Sequence, residues 1–221
     1  METIQTIVQF FQTGGTFMYP ILIIFAFGAA ICIERYIKLS GIGSANKKVW
    51  DKVHPLLDEG EFEQARDSIS NDKSAIARLL NMGLTRQGSV RRRDDIEIAM
   101  EESMMEIIPQ LEKRTPFIAL FANICTLLGL LGTIMGLIEA FTAVANADPA
   151  EKADLLSASI SVAMNTTAFG LMAAIPLLIT HAIISSKTGE IVDSLEMASV
   201  KTLNLIADFA KRQAALAAKN G

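Results

Sequence analysis

Three long stretches of this chain hold almost no group that can carry a charge, and that limits what it can become. Between residues 3 and 33 the only ionisable side chains are Tyr19 and Cys32. Between 155 and 186 there is only His181, and between 115 and 147 the sole carboxylate is Glu139. A run of roughly 20 apolar residues crosses a hydrocarbon core about 30 Å thick. The segments 17–33, 116–138 and 162–184 each meet that need. The 155–186 stretch would extend about 48 Å as helix, so its ends must stand in headgroups or water.

The charge is concentrated elsewhere. Residues 35–115 carry 14 of the 20 Lys and Arg and 14 of the 24 Asp and Glu, so this block is neutral and the net charge of −4 arises outside it. With 51% hydrophobic residues, 20% charged residues and a mean hydropathy of +0.36, the pattern excludes a soluble enzyme and a disordered tail. It also excludes a nucleic-acid binder working through a basic surplus. It predicts an all-α membrane protein with three transmembrane helices and one sizeable aqueous domain, spans two and three extending into long cytoplasmic helices.

Basic residues set the orientation. None precedes Glu34, whereas Glu34-Arg35-Tyr36-Ile37-Lys38 follows the first span and Lys113-Arg114 precedes the second. The 146–154 connection has only Lys152 against Asp148, Glu151 and Asp154. Nineteen of the twenty basic residues fall with the 35–115 block or the C-terminal tail. That side is expected to be cytoplasmic, with the N-terminus outside. Positive charge after the first apolar run, not before it, argues against a cleaved signal peptide.

The expected organisation is an outer interfacial helix over 1–15, with Ile4, Ile7, Val8 and Phe11 on one face. A first span follows over 16–36 and a cytoplasmic helical domain over 37–115. The second span covers 116–145, an outer loop 146–156, the third span 157–186 and a C-terminal cytoplasmic helix 187–221. Gly14-Gly15 breaks the chain before the first span. In the aqueous block, apolar sets mark separate helices: Trp50, Val53, Leu56 and Leu57; Phe62, Ala65 and Ile69; Ile76, Leu79, Leu80 and Leu84. From Asp94-Asp95 one long rod is expected to run to about residue 146, bent but not ended by Pro109 and Pro116. After the third span Ile191, Leu195, Val200, Leu203, Ile206 and Phe209 keep a helical stripe. Glu97, Glu101, Glu102 and Glu106 read as a solvated helix face, and Arg91-Arg92-Arg93 as a solvated turn. Cys32 and Cys125 lie at membrane depth in different spans and read as buried thiols.

Span one is bulky, which suits a lipid-facing helix. Span two places Gly129, Gly132, Gly136 and Ala140 on a small-residue stripe with Asn123, Thr126 and Thr133 nearby. Span three has Ser159, Ala163, Thr166, Thr167, Gly170 and Ala174. Small residues let helix backbones approach, and hydroxyls beside them bond across helices or face water. Ordinary packing and a polar pore both account for this pattern.

The run Gly129-Leu130-Leu131-Gly132-Thr133-Ile134-Met135-Gly136 resembles the second-span signature of the MotA/TolQ/ExbB proton channel family. The run Ala163-Met164-Asn165-Thr166-Thr167-Ala168-Phe169-Gly170, continuing to Ala174 and Pro176, is similar to its third-span signature. The start, Gly14-Gly15-Thr16-Phe17-Met18-Tyr19-Pro20, resembles the ExbB/TolQ-like branch. The resemblance implies an inner-membrane motor subunit, a homopentamer around two single-span ExbD/TolR-like partners that carry a membrane aspartate. Thr133 and Thr167 match hydroxyls expected beside that aspartate, with Asn165 and Thr166 adjoining. Gly129, Gly132, Gly136, Ala163, Gly170 and Ala174 are expected to pack the helices or line the pore. No cofactor and no nucleic acid is implied. The cargo is H⁺ or Na⁺, and no metal is expected beyond transient Na⁺ at Thr133 and Thr167.

One departure bears on the ion. The glutamate usual in proton-type members about five residues before the second threonine is Val162 here, and the third span has no acid. Neutral oxygens can replace part of a sodium ion's hydration shell, and paired threonines resemble sodium-driven stators. Na⁺ is therefore favoured, with H⁺ carried by the partner's aspartate as the alternative. An intramembrane enzyme is disfavoured, because no zinc motif or paired acid exists and the loop Gly41-Ile42-Gly43-Ser44 has no histidine at its depth. A non-conducting scaffold and a gliding or motility stator are the other readings.

Overall fold

The computed structural model describes residues 14–89 and 93–220. The expected interfacial helix over 1–15, except its last two residues, and Arg91-Arg92 lie outside the described residues. No strand occurs among those described. Six helices follow in order: α1 (Met18–Asp58), α2 (Phe62–Ile69), α3 (Ala75–Ser89), α4 (Arg93–Glu112), α5 (Thr115–Asn146) and α6 (Lys152–Asn220). Among the described residues, three helical stretches are long and apolar enough to cross a membrane, and the protein is an all-α, multi-pass membrane protein. The chain divides into two compact units. One comprises 14–35 with 114–184, and the other 36–113 with 185–220.

The first unit packs through small and medium side chains. Gly15 takes φ +77°, a left-handed conformation that glycine adopts without strain, and α1 begins three residues later. Met18 and Ile21 of α1, Ala122, Cys125 and Ala140 of α5, and Ala163, Ala174 and Leu177 of α6 are buried. Large apolar residues such as Phe27, Leu127, Phe141 and Ile179 stay exposed, as helices solvated by lipid tails require. Both thiols are buried, and Cys125 Sγ lies 3.9 Å from the Ile21 carbonyl oxygen.

The second unit has a conventional core. Leu39, Val53 and Leu57 of α1, Ala65 and Ile69 of α2, Leu79 and Leu80 of α3, and Met100 and Ile107 of α4 are all buried. Ile191, Leu195, Leu203 and Ile206 close it from α6, while Val200 is turned outward at 56% exposure, off the expected stripe. Gly60, at φ +80°, ends α1, and the Glu61 N–H donates to the Leu56 carbonyl at 2.9 Å. The Phe62 and Phe209 rings meet edge to face at 5.5 Å.

Two sequence expectations are corrected. The expected rod from Asp94 to residue 146 is divided at Lys113-Arg114. Arg114 has φ 67°, which costs a non-glycine residue about 1–2 kcal/mol. Pro116, in the first turn of α5, lacks the N–H that would continue the hydrogen-bond ladder from α4. An ion pair from Arg114 to Glu34, 2.8 Å, anchors the turn. Pro109 stays inside α4 without ending it. Span one was expected over 16–36 with Gly41-Ile42-Gly43-Ser44 in a loop, yet its helix runs on through these residues to Asp58. Interior glycine costs roughly 1 kcal/mol per residue relative to alanine, and burial of Leu39, Val49, Val53 and Leu57 outweighs it. Span one therefore also continues into a long helix, as span three does, while the helical stretch around span two is divided at Arg114.

Candidate ion-pathway site

Helices α5 and α6 run antiparallel in direct backbone contact. A Cβ added at Gly129 would lie 3.3 Å from the Cα atoms of both Gly170 and Thr167. One added at Gly170 would lie 2.7 Å from the Cys125 carbonyl oxygen and 3.0 Å from Gly129 Cα. Further along, a Cβ at Gly132 would strike Thr166 Cγ2 at 2.3 Å, and one at Gly136 would come within 2.9 Å of the Ala163 methyl. The stripe Gly129, Gly132, Gly136 therefore packs on Gly170, Thr167, Thr166 and Ala163. Ala174 is likewise buried on this face of α6.

This close approach brings two hydroxyls together. Thr133 Oγ1 and Thr167 Oγ1 are 3.1 Å apart on a half-buried edge of the pair. Thr133 Oγ1 is also 2.7 Å from the Leu130 carbonyl oxygen, and Thr167 Oγ1 is 2.8 Å from that of Gly129. Thr133 Oγ1 also lies 3.5 Å from the Gly129 carbonyl oxygen, and each hydroxyl has one proton, so two protons serve four contacts. When both donate to carbonyls, the two adjacent oxygens keep lone pairs free, which suits a cation. When one turns outward, the pair offers a donor to a carboxylate. A simple rotation about C–O switches between the two states.

The structure separates the other expected site residues. Thr166 is 2% exposed, and its hydroxyl lies within hydrogen-bond range of the Gly14 and Val162 carbonyl oxygens. It fastens the turn before α1 to α6 and has no open side. Asn165 precedes Thr167 by two residues, about 160° around the helix axis. It is half-buried on the other flank of α6, away from the hydroxyl pair. Of the four residues grouped on the pathway, Thr133 and Thr167 meet, and Thr166 and Asn165 stand apart.

The N-terminal turn was missed as part of this site. Besides the Gly14 carbonyl, Phe17 Cβ would lie 3.4 Å from a Cβ at Gly132, and Val162 Cγ1 would lie 3.2 Å from one at Gly15. The glycine pair in the sequence signalled a break but not its docking place. Val162 is thus packed against this turn. Glu139 is exposed on α5, six residues and about 9 Å of rise beyond Thr133. Among the described residues, no group of three or more His, Cys, Asp or Glu could hold a metal ion.

Three apolar helices, two of them joined by a glycine seam that pairs neutral hydroxyls, define a multi-pass membrane protein with a polar strip inside its helix packing. Residues 71–197 match the MotA/TolQ/ExbB proton channel family, and the chain belongs to it. It is 25% identical over 194 residues to a putative biopolymer transport protein ExbB homolog of Methanothermobacter thermautotrophicus, covering 87% of this chain and 67% of that protein. It is 36% identical over 93 residues to the Tol-Pal system protein TolQ of Haemophilus influenzae, covering 42% of this chain and 40% of that one. A putative biopolymer transport protein ExbB-like 3 of Synechocystis is 25% identical over 192 residues, 81% of this chain and 90% of its own length. The protein is an energiser subunit of this proton channel family, in its ExbB/TolQ-like branch.

Proposed function

We propose that this chain is the ion-conducting motor subunit of a bacterial inner-membrane complex, with its N-terminus periplasmic and its C-terminus cytoplasmic. Five copies surround two single-span ExbD/TolR-like partners, and ion flow past the partner's membrane aspartate drives movement that energises outer-membrane transport or an envelope process. The chain acts without a cofactor and is not an enzyme. The observation that carries this reading is the Thr133–Thr167 pair at 3.1 Å, held by a seam with no room for a methyl group. A carboxylate in hydrocarbon is costly unless solvated or partnered, and these hydroxyls supply a hydrogen-bonding edge for it.

Sodium is the favoured cargo. Position 162 is a valine packed on Gly15, and α6 has no acid between Asp154 and Glu190. Protonation of a carboxylate in this chain is therefore not available as a relay at that depth. The hydroxyl lone pairs suit a partly dehydrated cation. Co-reconstitution with the partner, under a Na⁺ gradient and then under an H⁺ gradient alone, tests the ion. Undiminished activity without sodium removes the sodium reading and leaves H⁺ carried by the partner's aspartate. Thr133→Ala with Thr167→Ala should abolish ion flow while the complex still assembles; a variant that still supports the envelope process without ion flow would point to a non-conducting scaffold.

A further inference from the structure

A cavity of about 400 Å³ lies among α1, α3 and α4 in the second unit, separate from the hydroxyl pair. Three cations from separate stretches line it: Lys38 of α1, Lys73 ahead of α3, and Arg78 in the opening turns of α3. Lys38 and Lys73 have no carboxylate within ion-pair distance among the described residues. Arg78 is steadied by Gln110 Oε1 at 3.4 Å and Glu106 Oε2 at 3.5 Å, the latter offsetting part of its charge.

The N-terminus of the 15-residue helix α3 opens on the same cavity. Its positive end favours an anion. Ser74 Oγ accepts the Ala77 N–H at 3.3 Å, and Asp72, the carboxylate nearest in sequence, uses Oδ1 on the Ser74 N–H at 2.8 Å.

An independent feature comes from α1. Asn46 lines the cavity and is only 3% exposed. Its Oδ1 accepts the Ile76 N–H at 3.2 Å, which fixes the orientation of the amide. Its Nδ2 is buried with no hydrogen-bond partner among the described residues. Buried amide donors are nearly always paired in folded proteins, so a missing acceptor is expected here. Three cations, a helix N-terminus and an unsatisfied donor call for the same kind of acceptor, an oxyanion.

We propose that this cavity binds a phosphate group, with Lys38, Lys73 and Arg78 balancing its charge and Asn46 Nδ2 donating to one of its oxygens. The chemistry is common to an anionic phospholipid headgroup and to free phosphate. Ile42, Ile107 and Leu111 form an apolar part of the wall that suits the glycerol end of a lipid. In the sequence, Lys38 follows the 17–33 apolar segment by only five residues.

The test uses the full chain. In one arm it is passed through nanodiscs of mixed phosphatidylcholine and phosphatidylglycerol, extracted in mild detergent and weighed by native mass spectrometry. In the other, inorganic phosphate is titrated onto the chain in phosphatidylcholine nanodiscs and followed by calorimetry. The variants are the surface double change Lys38→Ala with Lys73→Ala, and Asn46→Asp, which keeps the acceptor for Ile76 while replacing the Nδ2 donor by a carboxylate oxygen. Wild-type chain should retain phosphatidylglycerol selectively, bind phosphate, or do both, and each variant should weaken this about tenfold or more. Retention of phosphatidylglycerol alone identifies a headgroup site, and titration by phosphate alone a soluble-anion site. Binding of neither probe, or binding unchanged in the lysine variant, overturns the proposal. The lysine variant decides alone if Asn46→Asp does not fold.

Discussion

The two units of this chain use a helical glycine against a neighbouring helix in opposite ways. In the first unit, a Cβ at Gly170 would meet backbone, 2.7 Å from the Cys125 carbonyl oxygen. In the second, a Cβ at Gly83 would meet the Met100 side chain, 2.6 Å from Sδ. The first contact is between two rigid helix backbones and has nowhere to go. The second is with the end of a flexible thioether that can take another rotamer. Helices surrounded by lipid gain little from burying more hydrocarbon, so they associate through close backbone approach. The aqueous unit is held by removing Leu, Ile and Met from water, and it tolerates adjustment in shape.

The largest expected effect belongs to the aqueous unit. Leu80 is fully buried there, so Leu80→Ala should lower stability by about 2–5 kcal/mol through lost burial and a residual cavity. Denaturant unfolding followed by the single Trp50 reports this unit. Loss of the hydroxyl-pair function in a still-folded Leu80→Ala protein would mean that the two kinds of packing are less separable than described.

Next comes Gly170→Ala, expected to cost about 1–3 kcal/mol by forcing α5 and α6 apart. It should also abolish ion flow, because the 3.1 Å Thr133–Thr167 contact depends on that approach. Near-normal transport in this variant would break the comparison. Its counterpart Gly83→Ala should fall within about 1 kcal/mol of the parent in either direction, since helix propensity gained offsets the displacement of Met100. Thermal melts of the two variants side by side sharpen the contrast.

The smallest effect is one of pH at the start of α3. The Ser74 backbone N–H, then the Ser74 hydroxyl, hold the Asp72 carboxyl below its ordinary range; Lys52 adds to this and burial opposes it. A carboxyl more acidic in the folded than in the unfolded chain contributes stability that is present above the unfolded value. That contribution is lost as pH falls through the folded value. Protection of the Ser74 and Ala77 amides from exchange should therefore weaken in acid, and Asp72→Ala should remove that dependence.

Much of the membrane unit was legible because lipid imposes a strong rule on composition. Three charge-poor stretches marked three apolar helices, and a glycine run at three- and four-residue spacing marked the seam. The site was only half legible. Thr166 and Thr167 are adjacent and chemically alike, yet one is locked to the Gly14 carbonyl and the other reaches Thr133. A 100° step around α6 separates these roles, and the docking of the N-terminal turn decides which hydroxyl is consumed. The division at Arg114 was hidden because a left-handed arginine has no sequence signature comparable to glycine. Continuation of α1 through Gly41 and Gly43 was hidden because burial on either side outweighs their poor propensity.

By itself the sequence determined which segments are long and apolar enough to cross a membrane, since apolar length and charge placement are sums over residues that need no neighbours. It also determined that two helices would approach closely, because only glycine and alanine permit it. The tertiary structure decided which hydroxyls meet, which amide is left without an acceptor, and which three cations line the same cavity as it. Those depend on angles around helix axes and on contacts between residues 30 or more positions apart, such as Asn46 with Ile76 and Thr133 with Thr167.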